Sequence, residues 1–193
     1  MSLWKLLQAA YNGSGDSAKV RIDPSTSSLQ VVDYEHHEVH SGSHFTYSQV
    51  DADWDIADVV ELLIVAPDTT KWAHLVIDVE AALDTNVKLY EGSTHTVLAA
   101  QTAYNNNRNS GTANTTTINK HNNDGADGTL IFESQFGISV GGGATKITGG
   151  GATRGAQEII LKQDESYLLV ITSGSDDSSL SIKLSWYEHT DHN

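Results

Sequence analysis

The chain has 193 residues, no cysteine and a formal net charge of −14 at pH 7. That length suits one domain with a continuous two-layer core, and the missing cysteines exclude disulfides, thiolate metal sites and cysteine nucleophiles. The acidic balance, with Lys and Arg scattered rather than clustered, argues against nucleic-acid phosphates and anionic lipid as partners.

No stretch offers the about 20 consecutive apolar residues that a membrane-spanning helix requires. The apolar start also lacks the basic flank and length of a signal peptide, so the chain is expected to be the mature protein, with no membrane partner. Residues 1–18 are expected to form an arm carrying a short amphipathic helix over 3–11. There Leu3, Leu6, Leu7 and Ala10 recur at helical spacing before the stop signal Asn12-Gly13-Ser14-Gly15. A helix this short needs a surface to dock on.

Residues 19–193 are expected to form a single β domain. β-Branched residues bounded by turn formers predict strands over 19–22 and 29–34. The apolar runs VVELLIVA (59–66) and AHLVIDV (73–79), joined by Pro67-Asp68-Thr69-Thr70, predict a buried hairpin. Residues 86–90 alternate, with Val87 and Leu89 on one face, as a strand with one wet side requires. Long polar loops are expected over 104–117 and 122–128, before an apolar run at 129–136. A second polar stretch at 141–155 contains GGGATK and GGGATR, an echo too short to make a solenoid.

Three strands close the chain, at 158–162, 167–173 and 180–187. The last places Leu180, Ile182, Leu184 and Trp186 on one face, and a turn at 174–178 is expected to pair it with its predecessor. About eight to ten strands without intervening amphipathic helices predict an all-β, antiparallel sandwich of jelly-roll type, with little helix beyond the N-terminal one.

The chemistry-bearing clusters read mainly as structural. Residues 34–44 hold four histidines and two glutamates. His37-Glu38 lacks the second histidine of a metalloprotease helix, and in a strand His36 and His40 would stand about 13 Å apart. A surface strand or intersubunit contact is the preferred reading there. Asp51-Ala52-Asp53-Trp54-Asp55 has the spaced oxygens of a calcium loop but carries Ile56 where glycine is needed, and residues 123–128 read as turn chemistry. No phosphate loop or nucleophile elbow occurs, so neither a metal nor a cofactor is assigned. A glycosidase carboxylate pair, being defined by space rather than spacing, stays open as an enzymatic reading and predicts a cleft. Trp72 and Trp186 are expected in the core, whereas Trp4 on the arm and Trp54 among acids are the candidates for contact with a partner or ligand.

Several strings in order, VRIDPSTSSLQVVDYEHHEVHSGSHF (20–45), PDTTKWAHLVID (67–78), YNNNRN (104–109) and the segment 149–187 with LSWYEHTD beyond it, resemble a family of tailed-bacteriophage virion proteins encoded among the head genes. The likeness covers residues 20–191. It implies a non-enzymatic decoration or cement protein on the outer capsid surface, made in the cytoplasm of a bacterial host and carried in the virion. The major capsid protein would be its partner, along with further copies of itself as a homotrimer or dimer. Trp4, Leu7, Asn107, Arg108 and Asn109 are the residues expected to touch the shell or a neighbouring subunit. Arg108 leads because a guanidinium holds carboxylates and carbonyls well. The alternative is a carbohydrate- or receptor-binding module of a phage head fibre or tail.

Overall fold

A computed structural model of the chain describes residues 10–11, 17–18, 34–137 and 158–190. It divides into two compact units, residues 1–37 and 38–193. In the first unit β1 (Ala10–Tyr11) pairs antiparallel with β2 (Ser17–Ala18). The helix predicted over 3–11 therefore cannot extend through Ala10 and Tyr11. Its remaining residues, with Trp4 and Leu7, lie outside the described residues, as do the strand at 19–22 and the glycine-rich echo.

One helix is described, α1 (Tyr34–Ser41), where the sequence reading placed the end of a strand and a histidine-rich extended segment. The missed signal is its stop. Gly42, at φ 78°, donates its N–H to Val39 O at 3.1 Å, and Ser43 donates to Glu38 O at 2.9 Å. That is the Schellman pairing that ends a helix at a left-handed glycine. The extended spacing assumed for His36 and His40 does not apply in a helix.

The second unit is a sandwich of two antiparallel sheets. Four strands of one sheet, β3 (His44–Trp54), β13 (Ser178–His189), β5 (Trp72–Ala81) and β11 (Ile159–Ile160), lie side by side in that order. Four of the other follow the order β4 (Val59–Ala66), β12 (Glu165–Ser173), β6 (Thr85–Glu91) and β10 (Thr129–Phe136). Along the chain these eight alternate between sheets except at β6 to β10, which is the jelly-roll arrangement. Three short strands are inserted at that exception. β9 (Thr117–His121) and β7 (Val97–Ala100) widen the second sheet beyond β4, and β8 (Tyr104–Asn105) widens the first beyond β3.

The alternation read for the last strand holds, with Leu180, Ile182, Leu184 and Trp186 all buried. They meet Phe45, Leu75, Leu62, Leu89, Tyr167 and Leu169 in one core. Two expected pairings are corrected. β4 and β5 form no hairpin, and β13 does not pair with β12, because consecutive strands of this fold face each other across the core. β13 instead sits between β3 and β5, with Leu184 opposite both Tyr47 and Ile77.

The insertion also covers the outside of the six-stranded sheet. The connection 92–96 runs from β6 to the far edge at β7, and 122–128 returns from β9 to β10, so both cross β12 and β4. The two straps run antiparallel, bonded through Thr94 N to Ala126 O at 2.9 Å and Asn122 N to Thr96 O at 2.9 Å. Gly125 permits the approach, since a Cβ there would lie 2.5 Å from the Thr94 carbonyl carbon. Leu63 and Leu168 point outward by the pleat, yet they are 1% and 0% exposed, the condition of leucines under a cover. The His95 ring, buried, packs 4.5 Å from that of His121, whose Nε2 lies 3.1 Å from Glu61 on the outer face of β4.

Candidate functional site

The connection from β8 to β9 forms a knuckle over residues 104–116, built largely from asparagine. Asparagine side chains can replace backbone partners in turns, and here they do so in series. Asn105 Oδ1 accepts from Asn107 N–H at 2.9 Å, and Asn107 Oδ1 accepts from Asn109 N–H at 3.2 Å. The amide ends tie the knuckle down: Asn105 Nδ2 donates to Gly42 O at 2.8 Å and Thr112 O at 3.1 Å, and Asn107 Nδ2 to His40 O at 3.1 Å. Asn106 Nδ2 donates to His44 Nδ1 at 2.7 Å, while its backbone N–H reaches His44 O at 2.9 Å. A Cβ on Gly42 would collide with Ser110, so the glycine that ends α1 also seats the knuckle.

Its other end is clamped by Glu188, a buried carboxylate on the inner side of β13. Glu188 accepts from Thr116 N–H at 2.8 Å, from Thr115 N–H at 2.9 Å, from the Thr115 hydroxyl at 2.7 Å and from Trp186 Nε1 at 3.1 Å. Four donors compensate a charge that would otherwise be costly to bury. Between these anchors Tyr104 stands 57% exposed, and the Arg108 guanidinium sits over its ring at 5.1 Å from the centroid. Such a cation–π contact rests the guanidinium on the ring, and both side chains belong to exposed residues.

The predicted contact residues thus separate. Arg108 and Asn109 are exposed at the tip; Asn107 is half-buried and holds the loop. Tyr104, not singled out from the sequence, joins Arg108, and its only signal there was an aromatic beginning an asparagine run. Trp54 is corrected: it is 1% exposed, inside the core, so it meets no partner. Trp72, expected inside, is 39% exposed, because it starts β5 on the outward side of the pleat.

Neither suspected calcium loop gathers its carboxylates. Asp51 Oδ1 accepts from Asp53 N–H at 3.1 Å and Asp55 Oδ1 from Asp177 N–H at 3.2 Å, each oxygen serving a turn. Asp124 takes Thr96 N–H at 3.0 Å together with the Thr96 hydroxyl, and these two bonds hold its carboxyl below the usual range. Among the described residues no group of three or more His, Cys, Asp or Glu side chains is placed to hold a metal ion. No family model matches the chain, and no curated protein or solved structure matches it either.

Proposed function

We propose that this protein is a non-enzymatic structural component of a bacteriophage virion, a decoration or cement protein that binds the outer surface of the head and stabilises it. The observation that carries the reading is the knuckle, an exposed Tyr104–Arg108 pair on a loop that its own side chains have already ordered. A preordered loop loses little conformational entropy on docking, and a tyrosine with an arginine is a common hot-spot chemistry at protein interfaces. The jelly-roll body, the acidic charge and the resemblance of residues 20–191 to phage head proteins support the same reading.

In this account Arg108 engages carboxylates or backbone carbonyls of the major capsid protein, with Tyr104 and Asn109 beside it. Assembly as a trimer would set three knuckles around a local threefold position of the shell, where avidity multiplies modest contacts. The test is saturable co-sedimentation with undecorated capsids, which Arg108→Ala should weaken at least about tenfold, as loss of a hot-spot arginine does. Capsid binding as tight as the parent's in Arg108→Ala would remove the knuckle from the interface.

The second reading, a sugar- or receptor-binding module of a head fibre or tail, draws on exposed Trp72 and Tyr104, flat aromatic surfaces of the type on which sugars stack. Glycan binding that Trp72→Ala abolishes, with no capsid binding, would favour it.

A further inference from the structure

The two straps on the outside of the six-stranded sheet meet at a histidine, away from the knuckle. His95 belongs to the strap 92–96, and its buried ring is bonded twice to the strap 122–128. Gly125 N–H donates to His95 Nδ1 at 3.0 Å, and His95 Nε2 lies 3.0 Å from Asp127 Oδ1. Around it the straps bond each other through Thr94 N–H to Ala126 O and Asn122 N–H to Thr96 O, each at 2.9 Å, and through Ala126 N–H to the Thr94 hydroxyl at 2.8 Å. Asp124 accepts from Thr96 N–H at 3.0 Å and from the Thr96 hydroxyl.

A backbone N–H only donates, so the Gly125 bond fixes the lone pair of His95 on Nδ1 and leaves the ring proton on Nε2, facing Asp127. The closed straps therefore have a place for one ring proton and none for a second. A second proton on Nδ1 would set donor against donor at 3.0 Å, on a ring only 1% exposed. The nearest other acceptor is Asp124 Oδ1, 3.9 Å from Nδ1, and that oxygen is the one bonded to Thr96 N–H. Turning the new N–H toward it draws on a second bond between the straps. From β9, His121 packs on the ring at 4.5 Å between centroids, with Glu61 of β4 at its Nε2 and Asn122 O 2.9 Å from its Nδ1. His121 thus meets an acceptor at each nitrogen and accommodates two protons, where His95 accommodates one. β4 and β12 turn the cross-strand pair Leu63 and Leu168 to the same face, and further along it stand Tyr90 and the Lys88–Glu133 pair.

We propose that His95 is a pH-sensitive latch between the straps: a second proton on its ring breaks the Gly125 bond and releases the strap 122–128 from the strap 92–96. The proton acts as a ligand of the open form, so a falling pH shifts the population toward it. Closure is complete while the ring holds one proton and is lost as the ring takes the second. The sandwich beneath, held by its own strand ladders, has no part in the switch. The inference does not depend on the capsid reading, since the knuckle and the latch share no residue.

The test is amide hydrogen exchange of the full chain by NMR from about pH 8 to about pH 5, the span in which histidine is the side chain that ordinarily changes charge. Rates are corrected for the intrinsic effect of pH, and the His95 ring nitrogens are followed in the same samples. At the start His95 should show its lone pair on Nδ1 and its N–H on Nε2. As it takes the second proton, protection at Gly125, Ala126 and Asn122 should fall in step by at least about tenfold, the scale on which a buried donor left unpaired acts. Amides of β13 should keep their protection. His95→Gln, which pairs without titrating, should abolish the pH dependence, and His121→Gln should retain it. Strap protection that stays constant while His95 takes its proton would overturn the proposal. So would a His95 ring that keeps one proton across the whole range, or a pH dependence undiminished in His95→Gln. The parent chain decides the matter even where a variant fails to fold.

Discussion

The straps at 92–96 and 122–128 and the knuckle at 104–116 draw on the same Asn, Thr, Ser and Gly vocabulary, yet the straps close over a sheet while the knuckle stands out from one. The difference lies in what each has beneath it. The straps cross β4 and β12, the strands that carry Leu63 and Leu168, outward-facing apolar side chains that are nonetheless buried, and one histidine ties the straps by bonding Gly125 and Asp127. The knuckle is held by amide side chains at its base, and Tyr104 and Arg108 stand exposed on it. Polar composition marks a connection; the residues it passes over decide whether it becomes structure or surface.

The sharpest way to break that contrast is Leu168→Ala. If the straps bury this side chain as a core would, the substitution costs about 2–5 kcal/mol in urea unfolding, the range for buried leucines. A cost of a few tenths, as at an exposed site, would mean the straps are no cover. Next, Glu188→Gln replaces an acceptor of four donors with a group that presents N–H to some of them. It should cost about 1–3 kcal/mol and speed amide exchange at Thr115 and Thr116. Smaller still, Asn107→Ala removes the bonds to His40 O and from Asn109 N–H in a half-exposed loop, and should cost about 1 kcal/mol. Its larger effect should fall on capsid binding, because Arg108 loses its ordered platform.

Solution pH separates the sandwich body from these connections. Burial first, aided by the neighbouring Glu91 charge and hydrogen bond, pushes the Tyr167 hydroxyl from 10.0 up to about 12. A group raised in the folded state stabilises fully below its unfolded value, and that contribution is lost as pH rises through the folded one. Stability should therefore decline between pH 10 and about 12, and Tyr167→Phe should flatten that limb. Glu91, held down by its hydrogen bond to Lys162, and Glu158 are both lowered from 4.5, so their contribution is present above that value and fades on acidification below it. The acid limb should persist in Tyr167→Phe.

Much of the body was legible from period alone. Leu180 to Trp186 alternate strictly because β13 lies between two strands with one face on the core, and Val87 and Leu89 do the same on β6. Pairing was not legible: VVELLIVA and AHLVIDV read as a hairpin because both are apolar and separated by a turn, but a local signal cannot tell a hairpin from an arch across the core. The helix at Tyr34–Ser41 has no apolar stripe to announce it, and its marks were only the charges at its ends, Glu35 and His40, and Gly42 after it. In the candidate site Arg108 and Asn109 were found by residue type, whereas Trp54 was misplaced because flanking acids were read as exposure. Those acids alternate outward or cap turns while Trp54 points in. The bond from Gly125 to His95 could not be read at all, being set by the meeting of two straps across 30 residues.

The most direct measurement is co-sedimentation of the purified chain with undecorated phage capsids, followed by subnanometre imaging of the shell. The account predicts saturable density at symmetry-related positions, with the Tyr104–Arg108 tip against the capsid surface. A folded, intact protein that leaves capsids bare, or one that binds with the knuckle turned to solvent, would contradict it.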